Sequence, residues 1–359
     1  MIQPKPWLQN VKRIHTVTED KSKYFLRIDQ NERIYDFEHK FFEEFLKTIK
    51  HTDLCAYPST KEFIEKLGKY LYIDPSKELF LSNGSEQIIK AVFETFVNGG
   101  DEVITTSPCF PMYSVYAKLF NATLIKVLYD EELNFDISSL ISRITDKTKL
   151  IIIANPNSPI GDFHFVGEFV ELFDKTNKLG ITVLIDEAYI EFTYHNSFSD
   201  IVNVYYNVCV ARTFSKAMSA AGIRMGYLLG NKELIDNVSK WRHSHPINGI
   251  AARFGLYLLN NIDKIEEHIF ATVKERDLIV EQLAATKMFD VINSDGNWIH
   301  FNTKDDNKKV SEILNSYKNI SSRDGCTIPY DARKNWVRMT VGPGLSSYPF
   351  FKKILKIGE

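Results

Sequence analysis

Through the middle of the chain, short runs of apolar residues alternate with longer amphipathic stretches. Residues 78–82, 102–106, 123–128, 149–154, 182–186 and 207–212 are apolar nearly throughout and of strand length. Residues 85–97, 112–120 and 166–179 repeat apolar positions at helical spacing. Strands that are apolar on both faces and separated by helices predict a mostly parallel sheet covered on each side. Before this region, residues 38–50 and 61–71 also read as helices, whereas the first 35 residues show no clear period and read as an arm. After 226–230 the rhythm changes. One or two long helices are expected over 248–283, then strands at 289–292 and 298–301, a helix near 308–317, a strand at 336–340 and a final helix. The expected organisation is therefore an arm (1–35), a large α/β domain (36–247) and a smaller α+β domain (248–359).

Composition narrows the function classes. A net charge of −2 over 359 residues, without a basic tract interleaved with aromatics, argues against a nucleic-acid or anionic-membrane surface. The four cysteines, Cys55, Cys109, Cys209 and Cys326, are far apart and make no C-x-x-C pair. Neither a disulfide framework nor a cysteine zinc site is expected, and a reducing cytoplasm fits this usage. No apolar h-region follows Met1, so no signal peptide is expected, and no apolar run is long enough to span a bilayer.

The chemistry gathers at the ends of the expected strands. Arg212-Thr213-Phe214-Ser215-Lys216 follows one of them, with Ser215 and Thr213 one and three positions before the lysine and Arg224 eight positions after it. A lysine that attacks an aldehyde must be neutral, which a partly desolvated site with a nearby cation favours. The two hydroxyls and the arginine suit a phosphate dianion. Asp186, in Ile185-Asp186-Glu187-Ala188-Tyr189, ends a second strand. A carboxylate there can hold a pyridine nitrogen protonated, and Tyr189 can donate to an oxygen of the same ring. Ala154-Asn155-Pro156-Asn157-Ser158-Pro159-Ile160-Gly161 follows a third strand, where Asn157 or Ser158 can reach a ring oxygen. Leu81-Ser82-Asn83-Gly84-Ser85-Glu86 reads as a strand, a glycine turn and a helix start, a natural phosphate site. Phe110, after Ser107-Pro108-Cys109, can stack on a ring.

Each feature alone has an ordinary reading: a helix cap at Gly84, a satisfied buried carboxylate at Asp186, a core filler at Cys109. The pair His243 and His245 has no carboxylate or cysteine beside it to make a metal site. Their joint order is what carries weight. Gly-Ser-Glu, Pro-x-Phe, Asn-Pro-Asn-Ser-Pro-x-Gly, Asp-Glu-Ala-Tyr, Ser-Lys and a downstream Arg together resemble the fold-type I enzymes that use pyridoxal 5′-phosphate (PLP). The chain is most similar to class I/II aminotransferases of the histidinol-phosphate aminotransferase type, from about Asp29 to Thr340.

The resemblance implies that Lys216 bonds the cofactor covalently and then moves protons, that Asp186 pairs with the ring nitrogen and that Tyr189 bonds the ring oxygen. Phe110 would stack on the ring. Gly84, Ser85, Thr213, Ser215 and Arg224 would form the phosphate cup, and Glu86 would also contact the cofactor. Tyr57, in Ala56-Tyr57-Pro58, would reach the partner's cofactor in a homodimer. Asn31, Arg323 and Arg338 would lie on the substrate side, with Arg338 on an α-carboxylate.

The departures matter as much. Relatives have Asn immediately before the proline where this chain has Ser158. The Asn-Glu-x-Pro motif becomes Asn31-Glu32-Arg33-Ile34, and Gly342-Pro343-Gly344 replaces the usual Gly-Thr. The N-terminal Pro-Tyr-x-x-Gly of histidinol-phosphate enzymes is missing. These changes fall on the substrate side, which implies the same cofactor chemistry on a substrate other than histidinol phosphate. Transamination, with glutamate a candidate donor, is the leading expectation, and decarboxylation of an amino-acid phosphate is the alternative. A non-catalytic sensor of this fold calls for an added basic DNA-binding domain, which the sequence does not show.

Overall fold

The valine- and isoleucine-rich runs assemble into one central sheet. The computed structural model describes residues 5–12, 20–303, 308–321 and 336–357. Its strands are β1 (Leu26–Arg27), β2 (Leu79–Ser82), β3 (Glu102–Ser107), β4 (Thr123–Leu128), β5 (Thr148–Ala154), β6 (Thr182–Asp186), β7 (Val208–Thr213), β8 (Gly226–Leu229), β9 (Phe289–Ile292), β10 (Trp298–Thr303), β11 (Ile320–Ser321) and β12 (Val337–Thr340). The main sheet has the order β2-β8-β7-β6-β5-β3-β4. Strands β3 to β7 pair in parallel, while β8 runs antiparallel to both β2 and β7. The fold-type I expectation of a mostly parallel sheet flanked by helices is met.

Alternate residues of the central strands enter two separate cores, as a period of two requires. Ile151, Ile153, Val183, Ile185, Val208 and Val210 face one side with Phe169, Phe173 and Phe198. Leu150, Ile152, Leu184, Cys209 and Ala211 face the other with Ile88, Val92 and Phe93. The helix Ser85–Phe96 contributes those last residues as one apolar stripe. The helix expected over 166–179 begins as a 3-10 turn, Val166–Phe169, and becomes α-helical at Val170–Leu179. Gly180 ends it with φ 66°, a left-handed conformation that glycine adopts without strain. The long helical region of 248–283 is two helices, Gly249–Asn260 and Ile262–Ala285, and the Asn248 side chain caps the first.

Strands β9, β10 and β12 form a separate antiparallel sheet in the order β12-β10-β9. Part of the expected arm belongs with these C-terminal elements. β1 pairs in parallel with β11, and Leu26, Ile28 and Ile34 are buried with Ile279, Phe301, Val337 and Phe350. A strand of two residues is too short to show a period, which is why the pattern did not reveal it.

Strand β8 was marked in the sequence only as a change of rhythm. Its first residue is a glycine for a steric reason: a Cβ at Gly226 would lie 2.6 Å from the Ser85 backbone nitrogen and 2.7 Å from the Gly84 carbonyl carbon. At Gly222, by contrast, an added Cβ meets nothing within 4 Å. Gly226→Ala is therefore expected to destabilise the protein by about 1–3 kcal/mol. Gly222→Ala is expected to stay within about 0.5 kcal/mol of wild type. Urea unfolding of both variants checks the contrast.

Candidate active site

The carboxyl ends of β2, β3, β5, β6 and β7 lie along one edge of the sheet, where open α/β folds bind ligands. The phosphate end of the site lies beyond β2 and β7. Gly84, at φ 85°, turns β2 into the helix Ser85–Phe96, whose first backbone N–H groups have no partner within the helix. Arg224, left-handed at φ 56°, donates from Nη1 to the Ser215 hydroxyl at 3.3 Å. Its Nη2 lies 2.8 Å from where a Cβ of residue 84 would stand, so Gly84 leaves room for the guanidinium. Among the described residues Arg224 has no carboxylate partner. The Thr213 hydroxyl accepts the Ser215 backbone N–H at 3.1 Å and fixes the turn from below. The Glu86 carboxylate accepts from the Tyr116 hydroxyl at 3.1 Å. Hydroxyls, helix N–H groups and an exposed arginine thus converge at one point, as a phosphate dianion requires.

The ring end is built around Asp186, which is 5% exposed. Its Oδ2 accepts from the Tyr113 hydroxyl at 2.8 Å, and its Oδ1 has no hydrogen-bond partner among the described residues. Burial pushes its carboxyl up to about 6, against the opposing pull of the Tyr113 hydroxyl. A buried carboxylate oxygen without a donor is costly, and a protonated ring nitrogen is a suitable donor. Lys216 Nζ donates to the Gln30 carbonyl at 2.8 Å and sits 5.4 Å from the centre of the Tyr189 ring. Phe110 meets Tyr113 edge to face at 5.7 Å. Burial alone would raise the Tyr189 phenol, but Lys216, Asn31, Arg338 and Ser158 outweigh it and hold the group below its ordinary value.

Asn157 and Ser158 part company here. The Asn157 amide is buried and donates to Thr106 Oγ1 at 3.2 Å, the Pro108 carbonyl at 3.3 Å and the Tyr129 hydroxyl at 2.9 Å. The Ser158 side chain stands beside the Tyr189 hydroxyl, close enough to help hold it below its ordinary value. On the substrate side, Asn31 takes a left-handed φ of 53° and donates from Nδ2 to the Tyr189 hydroxyl at 3.3 Å. Thr340 on β12 brackets Asn31, accepting its backbone N–H at 3.0 Å and donating to its Oδ1 at 3.1 Å. Arg338, on the same strand, donates to the Asp29 carbonyl at 3.2 Å. Arg323 lies outside the described residues. Tyr57 stands apart from these groups, 83% exposed, with its ring stacked on His245 at 4.4 Å. Cys109 is partly buried, and burial pushes its thiol up.

Three supporting residues escaped the sequence reading: Tyr113 beneath Asp186, Gln30 beside Lys216 and Thr340 behind Asn31. The one signal available for Tyr113 was its position a helical turn after Phe110, since a buried tyrosine needs a partner for its hydroxyl.

The comparisons with known proteins agree with this geometry. The family profile described as aminotransferase class I and II matches residues 31–348. A histidinol-phosphate aminotransferase of Thermoanaerobacter sp. strain X514 is 31% identical over 285 residues, covering 79% of this chain and 80% of that protein. The structure of histidinol-phosphate aminotransferase from Sinorhizobium meliloti in complex with pyridoxal-5′-phosphate superposes with a TM-score of 0.81 at 18% identity, covering 100% of this chain and 96% of that one. The L-threonine-O-3-phosphate decarboxylase of Porphyromonas gingivalis gives 0.75 at 17% identity, over 92% and 97%. The fold is thus that of the fold-type I aminotransferases. The chain itself belongs to the aminotransferase class I and II family.

The state of Asp186 makes a prediction about the cofactor-free protein. Its folded carboxyl titrates near 6 rather than at the usual 3.8, so the folded state binds this proton more tightly than the unfolded state does. The resulting stability is full below the unfolded value and is lost as pH rises through about 6. Asp186→Asn removes this loss. The stability of the variant relative to wild type is expected to rise between pH 4 and 7, by on the order of a few kcal/mol. Melting temperatures of both proteins across that range test the slope, and parallel curves would contradict it.

Proposed function

We propose that this chain is a PLP-dependent transaminase. It transfers an amino group from an amino acid, with glutamate as candidate donor, to a keto acid, aldehyde or ketone. The observation that carries the reading is the buried Asp186 carboxylate with an unpartnered oxygen, at the same sheet edge as Lys216. When bound, PLP supplies an electron sink, because its protonated ring draws electrons from the carbon that gives up its proton.

The protein's own groups do the rest. Asp186 holds the ring nitrogen protonated, and that cation gives the buried carboxylate its missing partner. Gly84, Ser85, Glu86, Thr213, Ser215 and Arg224 anchor the phosphate, with Glu86 acting through its backbone. Phe110 covers a ring face. Tyr189, which accepts from Asn31 and stands beside Ser158, would bond the ring oxygen, and Ser158 rather than Asn157 would act on that oxygen, through Tyr189. Lys216 would tether the cofactor, and its Nζ would hold and move the proton at the reacting carbon. Arg338 docks the α-carboxylate, and Asn31 orders the same side. Tyr57, exposed and stacked on His245, would reach the partner's cofactor phosphate in a homodimer.

The substrate we favour is not histidinol phosphate. One of the departures, Ile34, packs against Gly342, next to the altered Pro343: a Cβ on Gly342 would lie 2.6 Å from Ile34 Cγ1.

The test uses the PLP-loaded protein. Nitrogen from 15N-glutamate and other amino donors is expected to appear on a keto or aldehyde acceptor, and Lys216→Ala is expected to abolish the transfer. Arg338→Ala is expected to lower kcat/KM for the amino donor by roughly 100-fold while leaving PLP binding intact. Carbon dioxide release from an amino-acid phosphate without any acceptor would favour decarboxylation instead. Turnover retained in Lys216→Ala would contradict both readings.

A further inference from the structure

Two fully buried side chains of the smaller sheet converge on one atom of the loop that carries Ser158. On β10, Trp298 Nε1 donates to the Pro159 carbonyl at 3.0 Å, and His300 Nε2 approaches the same oxygen at 2.7 Å. Both residues are 0% exposed. They lie two positions apart on one strand and so point to the same side of it. A carbonyl oxygen only accepts, so Nε2 of His300 must carry the proton.

The neighbouring turn adds to the hold. The Asp295 backbone N–H donates to the Gly161 carbonyl at 2.6 Å, and a Cβ at Gly161 would fall 2.1 Å from Ser294 Cβ. No side chain larger than hydrogen fits there. Each residue of the pair also stands opposite a substrate-side residue on β12: Trp298 faces Thr340, and His300 faces Arg338. The clamp thus joins the two sides of Tyr189: Asn31 donates to its hydroxyl and is bracketed by Thr340, whose strand pairs with the strand of Trp298 and His300, and these two hold the carbonyl next to Ser158, which stands beside the same hydroxyl.

We infer that His300 and Trp298 are positioning residues for the reaction: by holding the Pro159 carbonyl from the smaller sheet, they aim the Ser158 hydroxyl at Tyr189. A serine side chain is shorter than the asparagine that relatives carry here, so its reach depends on where the backbone is held. The effect on Tyr189 during catalysis rests on the proposed PLP chemistry. The hold on the loop does not, and it is read separately.

The experiment compares His300→Leu, which removes the donor, with His300→Gln, which keeps a nitrogen donor near the position of Nε2. Hydrogen exchange of the full chain is measured before PLP is added. In His300→Leu the Gly161 and Asp295 amides are expected to exchange about five- to tenfold faster, with His300→Gln close to wild type. PLP is then added and the pH midpoint of its visible absorbance is read. Losing the Ser158 donor makes Tyr189 a weaker donor to the ring oxygen, which leaves more negative charge there and favours the proton on Nζ. The midpoint is therefore expected to move up by about half to one pH unit in His300→Leu, as in Ser158→Ala, and to return with His300→Gln. In a Ser158→Ala background, His300→Leu is expected to add no further shift. Trp298→Phe, which removes only the indole donor from the clamp, is expected to move both readings in the same direction. Unchanged exchange in a folded His300→Leu protein overturns the inference, and so does a midpoint shift that persists undiminished without Ser158. Faster exchange in a protein that binds no PLP would sustain the hold on the loop while the cofactor reading fails.

Discussion

A carboxylate taken out of water without a full set of donors is the constraint around which this molecule is arranged. Asp186 ends β6, a strand of the sheet every residue of which is buried. One oxygen is satisfied by Tyr113 and the other by nothing in the described chain. Such a group persists only where surrounding packing holds it in place, and both cores flanking β6 do so. On the proposed reading a protonated ring nitrogen would recover the stability given up at this point, so that the cofactor's affinity would draw on a penalty that folding has already imposed.

The parts of the fold that could be read from sequence are those where burial on both faces leaves a continuous apolar run. Strand β6 stands where the pattern puts it, and β3, β5 and β7 differ only by a residue or so at their ends; β4 and β9, mostly half-buried or exposed, were found from their apolar residues alone. β8 was missed because four residues beginning with glycine carry too little pattern, and its antiparallel direction is set by pairing with β2 and β7. The same logic applies to the site. Lys216, Asp186 and Tyr189 stand at strand ends in a recognisable order, whereas Gln30, Tyr113 and Thr340 reach them only through tertiary contacts. Whether Asn157 or Ser158 faces Tyr189 was open in the sequence, since adjacent residues differ only in which way a turn points them.

The two halves of the site differ in origin. The phosphate cup and Asp186 come entirely from the large sheet, its turns and the helix Ser85–Phe96. The substrate side is assembled from Asn31, Thr340 and Arg338, which belong to segments packed on the smaller sheet. Departures from the family pattern fall mainly in the second half. On the proposed reading that division would let one half hold a fixed cofactor while the other is reshaped, with Tyr189 bonded to Asn31 of the second and standing beside Ser158 of the first.

The pairing of Leu26 with Ile320 joins segments separated by nearly the whole chain. Its consequence is temporal. As the polypeptide leaves the ribosome, the sheet, the phosphate cup and Asp186 are all complete once β8 has emerged, whereas Asn31 has to wait for β12 before Thr340 can bracket it. On the proposed reading the nascent protein thus acquires its cofactor-anchoring end first and its substrate-discriminating end last.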